Sequence, residues 1–449
     1  MPLPEKLENL AEQCPFPLYV VGGFVRDFLA GLESATSDID ICAPADAEEF
    51  VEVAKKCGGK PVAVYKNTGT VKLKLGGEEY EFASFRSDEY VRGTHKPVKS
   101  LFTDDMLLDA HRRDFKCNAV YYDIKNQVTV DPLGGLKDIM LRRITTVADA
   151  EKVFGEDGLR LMRLARQAAQ TGFKPTEECL RGARSNASLI SDIAPERIFT
   201  ELNYILHADE KYGIERAQYD GLKILAETDV LNFILPELAM GRDMKQNPDF
   251  HDHDVLEHSL RTVMYADKSI RLAALLHDVG KPYALRETGS YREHERDSAR
   301  IAGDVCARLK VSKRITTEVV RLCALHMYDM RCDARENKVR KFIVHNIDIF
   351  DKLLLIKQAD YSACRDDLGE APCVTKWKEI YEKLRAEGVP LTLRQLKIGG
   401  DDLIEAGVAP TDVSKMLKTM FDDCIINPAH NKRKTLLKRA LSLYNSGNF

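Results

Sequence analysis

The sequence predicts an α+β protein, in which an N-terminal head with a mainly antiparallel sheet is followed by an all-helical remainder. Two patterns carry that expectation. Nearly all short β-branched or aromatic runs fall within the first 140 or so residues, and beyond about residue 141 apolar positions recur at helical spacing between clusters of Gly and Pro. The 449 residues, 44% hydrophobic and 30% charged, amount to roughly three folded units at about 150 residues each. One small domain and a disordered chain are both excluded.

In the head, strands are expected at residues 18–21, 38–42, 70–75, 80–85, 119–124 and 127–130. Gly76-Gly77 and Lys125-Asn126 each separate two of these runs, so each pair reads as a hairpin. Helices are expected over residues 158–171, 255–266, 271–279, 297–309, 317–327 and 350–364. Loop-like composition at 131–135, 240–249 and 386–390 divides the chain into 1–140, 141–240, 241–390 and 391–449.

Lys and Arg number 66 against 70 Asp and Glu, a net charge of −4. Any nucleic-acid contact must therefore be a local patch. No apolar run nears the roughly 20 residues that span a bilayer, and Met1 to Lys6 lacks the apolar core of a signal peptide. Eleven cysteines without a Cys-x-x-Cys pair read as thiols, not a disulfide framework. A cytoplasmic location without membrane contact is expected.

The first chemical pattern starts at Val21-Gly22-Gly23-Phe24-Val25-Arg26-Asp27, read as strand, Gly-Gly turn and helix. Such a turn is either a tight loop or a place where backbone N–H groups approach a phosphate. Ser37-Asp38-Ile39-Asp40-Ile41 follows. On a strand, Asp38 and Asp40 share one face while Ile39 and Ile41 face the core. Two adjacent carboxylates repel, and a divalent cation such as Mg²⁺ relieves that repulsion. Glu81 is either a third carboxylate or plain sheet surface. In Arg112-Arg113-Asp114-Phe115, the arginines suit phosphate oxygens and Asp114 a ribose hydroxyl, unless the run is a solvated entry to a strand.

The order Gly22-Gly23-x-x-Arg26-Asp27, Asp38-x-Asp40 and Arg112-Arg113-Asp114-Phe115 resembles the class II tRNA nucleotidyltransferase and bacterial poly(A) polymerase family. Glu156-Asp157-Gly158-Leu159-Arg160-Leu161-Met162-Arg163 and Pro195-Glu196-Arg197-Ile198 continue the resemblance. It implies a nucleotidyltransferase head over 1–140, a helical neck and RNA-binding region over 141–240, a body over 241–390 and a tail over 391–449. Nucleotide contacts then fall to Gly23, Arg26, Arg113, Asp114, Asp157, Arg160, Arg163 and Arg166, with Asp38 and Asp40 holding Mg²⁺.

On a helix beginning near Glu156, Asp157, Arg160 and Arg163 share a face and Arg166 continues the row. The resemblance makes Asp157 and Arg160 the pair that reads the incoming base. Cytosine and adenine both present an amino donor beside a ring-nitrogen acceptor, which a carboxylate and a guanidinium complement. Uracil and guanine present the reverse, leaving mismatched groups at about 1–3 kcal/mol each.

A second pattern comprises His258, His277-Asp278, His294, His326 and Asp360, spread over helical segments. It resembles the HD phosphohydrolase superfamily. By that resemblance His258, His277, Asp278 and Asp360 bind one metal, and His294 and His326 support a second. Imidazoles with two carboxylates suit Mn²⁺, Ni²⁺ or Co²⁺ better than Mg²⁺. His251 and His253 read as bystanders in a polar loop.

Residues 391–449 hold nine Lys or Arg and six Asp or Glu, a charge that suits either a solvated helix face or a grip on the tRNA body. The expected activity is template-independent addition of C, C and A to the tRNA 3′ end from CTP and ATP, with no protein partner. The alternatives are a poly(A) polymerase, a CC-only or A-only enzyme, or an HD phosphohydrolase whose head merely binds RNA.

Overall fold

The computed structural model describes residues 1–32, 39–89, 99–249, 251–447 and 449. Asp38, one of the two expected head ligands, lies outside them. The strands are β1 (Tyr19–Val21), β2 (Ile39–Ala43), β3 (Lys60–Tyr65), β4 (Thr70–Leu75), β5 (Glu78–Ser84), β6 (Arg86–Glu89), β7 (Lys99–Phe102), β8 (Tyr121–Asp123) and β9 (Val128–Val130). Seven form one sheet in the order β3-β4-β5-β2-β1-β8-β9. Within it only β2 and β5 run parallel, so the sheet is mixed and mostly antiparallel, as expected.

The register of this sheet places the chemistry. Val20, Ile41, Phe82 and Val71 are paired in sequence across β1, β2, β5 and β4, and all are at most 1% exposed. Phe50, on the helix Ala47–Lys56, stacks on Phe82 with ring centroids 3.8 Å apart and seals that face. One residue along, the next row turns Asp40, Glu81 and Lys72 to the opposite, exposed face, because side chains alternate along a strand. Both expected hairpins form, and Gly76 and Gly77 both take positive φ, as a tight two-residue hairpin turn demands.

Three strand pairings depart from expectation. β3 opens with Lys60-Pro61 at the sheet edge, carries a register shift between Pro61 and Ala63, and shows no buried face, so no alternation marks it. β6 and β7 form a separate, partly exposed antiparallel ribbon, polar except for Leu101 and Phe102. Arg143–Ile144 pairs in parallel with Lys174–Pro175, too short for any periodicity.

The chain divides into two compact units, residues 1–240 with 305–312 and residues 241–304 with 313–449. In the first, the helices Leu159–Thr171, Pro195–Leu206 and Ala217–Glu227 pack together after the head sheet. In the second, the helix Val255–Tyr265 packs on Phe350–Arg365, with Arg271–Leu276 beside both. The remainder is helical apart from that two-residue pair. The cysteines are free thiols. Among the described residues no helix is long and apolar enough to cross a membrane.

Candidate active site and metal centre

In the first unit an open cleft of ≈ 1080 Å³ is lined by Gly22, Gly23, Asp40, Arg113, Asp157, Arg160 and Arg166 among others. β1 runs straight into the helix Gly23–Ala30 through Gly22, whose φ of 84° suits glycine. A Cβ at Gly22 would stand 3.3 Å from Asp40 Oδ2, so the bare turn keeps the acidic strand and the helix start close. Asp40 has Glu81 as its register partner on the neighbouring strand and the same face. Lys72 is the next partner beyond Glu81. Asp40 and its register partner Glu81 thus stand on one exposed face of the sheet, hard-oxygen groups of the kind that suit a divalent cation.

Most of the expected arginines are already committed. Arg26 is 5% exposed. It donates to Asp27 Oδ1 (2.6 and 2.8 Å), to Asn118 Oδ1 (2.8 Å) and to Gln167 Oε1 (3.1 Å), and Tyr212 Oη donates to the other oxygen of Asp27. Arg26 therefore braces the Gly-Gly turn from within. Arg112 and Arg113 both clamp Asp109, at 2.7 and 3.0 Å. Asp109 also accepts from Tyr121 Oη at 2.7 Å. Burial pushes the Asp109 carboxyl up, but the two guanidiniums outweigh it and hold it at about 2. Asp109 escaped the sequence reading, although its i, i+3 and i, i+4 spacing to two arginines was a usable signal.

Asp114 does not point a free oxygen at a ribose. Oδ1 accepts from Phe115 N (2.8 Å) and Asn118 Nδ2 (2.9 Å), while Oδ2 accepts from Arg163 (2.6 and 2.8 Å) and Gln167 (3.3 Å). Despite burial, Arg163 and these hydrogen bonds hold its carboxyl well below the usual range. Asp114, Asn118, Arg26, Arg163 and Gln167 thus form one polar braid, buried except for the partly exposed Arg163. It ties the Gly-Gly helix, the segment after Arg113 and the helix Leu159–Thr171 together. Gln167 and Asn118 were missed, since an amide inside a helical run carries no pattern of its own.

The expected base-reading face needs one correction. The helix starts at Leu159, not near Glu156, because the chain breaks at Asp157-Gly158. A Cβ on Gly158 would lie 2.6 Å from the Leu189 carbonyl oxygen, so a glycine is required for that close approach. Asp157, extended, accepts Leu159 N–H at 2.9 Å. Arg160 is 4% exposed and bonds Glu156 (2.9 Å) and the carbonyls of Val153 and Arg112. Arg166 pairs with Glu201 at 2.6 Å. Asp157 and Arg160 still border the same cleft, but as a rigid turn and the first turn of a helix.

In the second unit the six expected residues converge. His258 Nε2 lies 3.0 Å from Asp360 and 3.5 Å from Asp278; His277 Nε2 lies 3.3 Å from Asp278; His294 Nε2 and His326 Nε2 lie 2.9 and 3.6 Å from the other oxygen of Asp278. All six are buried. His277, His294 and His326 each place Nδ1 2.7–2.8 Å from the carbonyl three residues earlier. A carbonyl only accepts, so Nδ1 carries the proton and each Nε2 presents a lone pair toward the carboxylates. Those Nε2 atoms and one oxygen of Asp278 lack hydrogen-bond partners. Buried lone pairs facing carboxylate oxygens repel, and a cation between them resolves the conflict. The residues fit a metal.

The surroundings hold this set in place. Gly280 has room for no side chain, since a Cβ would meet the His294 carbonyl oxygen at 2.3 Å, and Ser298 Oγ accepts from Gly280 N. Lys281 bridges Asp278 (2.6 Å) and Gln246 (2.6 Å). Lys357 donates to the carbonyls of His326 (2.9 Å) and Tyr328 while lying 4.5 Å over the Trp377 ring. His251 is no distant bystander, because its ring stands edge-on to His258 at 5.0 Å. His253 lies 4.0 Å from Asp366 instead.

Fold and sites together define a head built on a Gly-Gly turn and an acidic strand, followed by helical regions that include a His/Asp centre. Residues 18–145 match the poly A polymerase head domain, 172–241 the probable RNA and SrmB-binding site of polymerase A, and 255–353 the HD domain. Along the chain the matches thus fall in the order head, RNA-binding region and HD region. A CCA-adding enzyme of Lactococcus lactis subsp. cremoris is 33% identical over 251 residues, 55% of this chain and 59% of that protein. The chain thus spans about three-fifths of the length of that curated relative. An A-adding tRNA nucleotidyltransferase of Deinococcus radiodurans is 29% identical over 370 residues, 78% of each. The fold matches the Bacillus stearothermophilus CCA-adding enzyme in complex with CTP, at a TM-score of 0.69 and 22% identity over 98% of both chains.

Proposed function

We propose that this protein is a tRNA nucleotidyltransferase that adds C, C and A to the 3′ end from CTP and ATP. The observation that supports this most directly is the convergence of the Gly22-Gly23 turn, Asp40 and the Asp157/Arg160 turn on one cleft. The backbone N–H groups of the turn and the start of the helix Gly23–Ala30 offer positive dipole to a triphosphate. Asp38 and Asp40, with Glu81 in register beside Asp40, would hold Mg²⁺. When bound, that ion activates the primer 3′-hydroxyl and offsets charge on the leaving pyrophosphate.

The chain's own residues do the positioning. Asp157 and Arg160 border the base, and the helix start fixes Asp157 by its bond to Leu159 N–H. The Asp114 braid keeps that turn in register with the phosphate-binding turn, so Arg26 and Asp114 serve as positioning residues in this reading. Arg113, Arg163 and Arg166 border the cleft beside it. Discrimination against UTP and GTP follows from mismatched donors and acceptors. Residues 141–240 would form the neck, and the basic helix Arg433–Ser446 of the tail would meet the tRNA backbone. Addition of A alone, CC alone or poly(A) is the narrower alternative.

A second activity in the body rests on the buried His/Asp centre. His258, His277, Asp278 and Asp360 would hold Mn²⁺, Ni²⁺ or Co²⁺, with His294 and His326 available to a second ion. A metal there supplies an activated water for phosphoester hydrolysis. The test of the primary reading is Asp40→Ala. We expect nucleotide addition to be abolished with tRNA binding largely intact, and retained addition overturns the assignment of the acidic strand.

A further inference from the structure

Beside the His/Asp centre lies a second set of ligating atoms that the hydrolase reading does not use. One atom each of His251, His258 and Cys364 lie within 4.8 Å of one another. We propose that these three residues form a two-nitrogen, one-sulfur site for a thiophilic divalent cation, Zn²⁺ or Cd²⁺. The inference touches the hydrolase reading only through His258, which both sets share.

Three observations carry it. First, His258 is fully buried, and its Nδ1 has no hydrogen-bond partner although Nε2 faces Asp360 at 3.0 Å. A buried imidazole nitrogen without a partner costs free energy, in contrast to the carbonyl-bonded Nδ1 atoms of His277, His294 and His326. Second, His251 Nδ1 is likewise buried without a partner. Third, the two elements are fastened to each other at this point. Asp252 N–H donates to the Cys364 carbonyl at 3.1 Å and Arg365 Nη2 donates to the Pro248 carbonyl at 2.8 Å. The loop that bears His251 is thereby laid over the end of the helix Phe350–Arg365, which bears Cys364. Cys364 Sγ itself makes one weak contact, to the Asp360 carbonyl at 3.3 Å.

The donor chemistry separates the two sets. Imidazoles with carboxylates accept Mn²⁺ or Co²⁺, whereas two imidazoles with a thiolate favour Zn²⁺ and its heavier congener. Binding here exchanges the thiol proton for the metal, and three protein ligands leave a fourth position open to water. A cation held this way draws on His258, so Zn²⁺ at this site competes with occupancy of the His/Asp centre.

The test titrates metal-free, full-length protein with Cd²⁺ and follows the near-ultraviolet sulfur-to-metal charge-transfer band. We expect a band that saturates at one equivalent, disappears in Cys364→Ser and survives in His277→Ala, which disables only the His/Asp centre. His251→Ala should weaken Cd²⁺ binding at least tenfold, since losing even an outer-shell partner of a metal ligand costs about 10–100-fold. Circular dichroism on each variant reports folding, and Cys364→Ala supplies a second thiol-free chain if the serine variant misfolds. A band of equal strength without Cys364 assigns the metal to other cysteines and overturns the proposal, as does the absence of any band. Mn²⁺ retention by His277→Ala would overturn the hydrolase reading instead, so the two failures are distinguishable.

Discussion

Asp114→Asn separates a positioning role from a substrate contact. The native carboxylate accepts two bonds from Arg163 at 2.6 and 2.8 Å, and its side chain is 5% exposed against 37% for Arg163. Asparagine keeps an oxygen for Phe115 N and Asn118 but loses the charge opposite Arg163. Breaking a fully buried ion pair costs about 3–5 kcal/mol. Here Arg163 reaches solvent and recovers part of its hydration, so about 2 kcal/mol is expected. Urea unfolding of the two chains measures it, with steady-state addition of CMP and AMP in parallel. If Asp114 braces the cleft, stability falls by that amount and kcat/KM for CTP and ATP falls together. Unchanged stability combined with lost preference for ribonucleotides over deoxyribonucleotides would refute the brace and restore the ribose contact.

Three further outcomes follow from the same geometry. Asp109 titrates at about 2 in the fold against about 3.9 unfolded. Its ionised form therefore stabilises the head above the unfolded value, by ~3 kcal/mol, and that stability is lost as pH falls from about 4 through about 2. Asp109→Asn should flatten this acid limb of the unfolding profile, and an unaltered limb contradicts the clamp. Asp157→Ala and Arg160→Ala should lower CTP and ATP use and weaken rejection of UTP and GTP; folded variants that keep wild-type preference would remove the base-reading role. His277→Ala should lose bound Mn²⁺ and any hydrolysis of a cyclic phosphate while retaining nucleotide addition, as metal analysis and the two assays would show. Added Mn²⁺ should also raise the melting temperature of metal-free wild type but not of this variant.

How much of this was legible in the sequence depended on the physics of each element. β4 and β5 were legible because buried and exposed residues alternate around Gly76-Gly77. β3 was not, for Lys60-Pro61 begins an edge strand with neither face buried. The six residues of the His/Asp centre could be named from their order, but the proof that they suit a cation lay in the carbonyls of Ala274, Tyr291 and Cys323, which fix the ring protons. Backbone atoms leave no trace in a sequence. Asp157 was placed on a helix by its spacing to Arg160, although Asp157-Gly158 was a turn signal in plain view. Gln167 and Asn118 escaped because the partners that make them matter lie far along the chain, 141 residues from Arg26 in the case of Gln167.

The measurement that bears most directly on the central claim is incorporation into tRNA lacking its CCA, with each nucleoside triphosphate offered separately and then CTP with ATP. The account predicts extension by CTP, completion only when ATP is also present, and essentially none with UTP or GTP. It further predicts that Asp40→Ala abolishes both steps. Wild-type protein that incorporates no nucleotide, or that extends with all four alike, would contradict it.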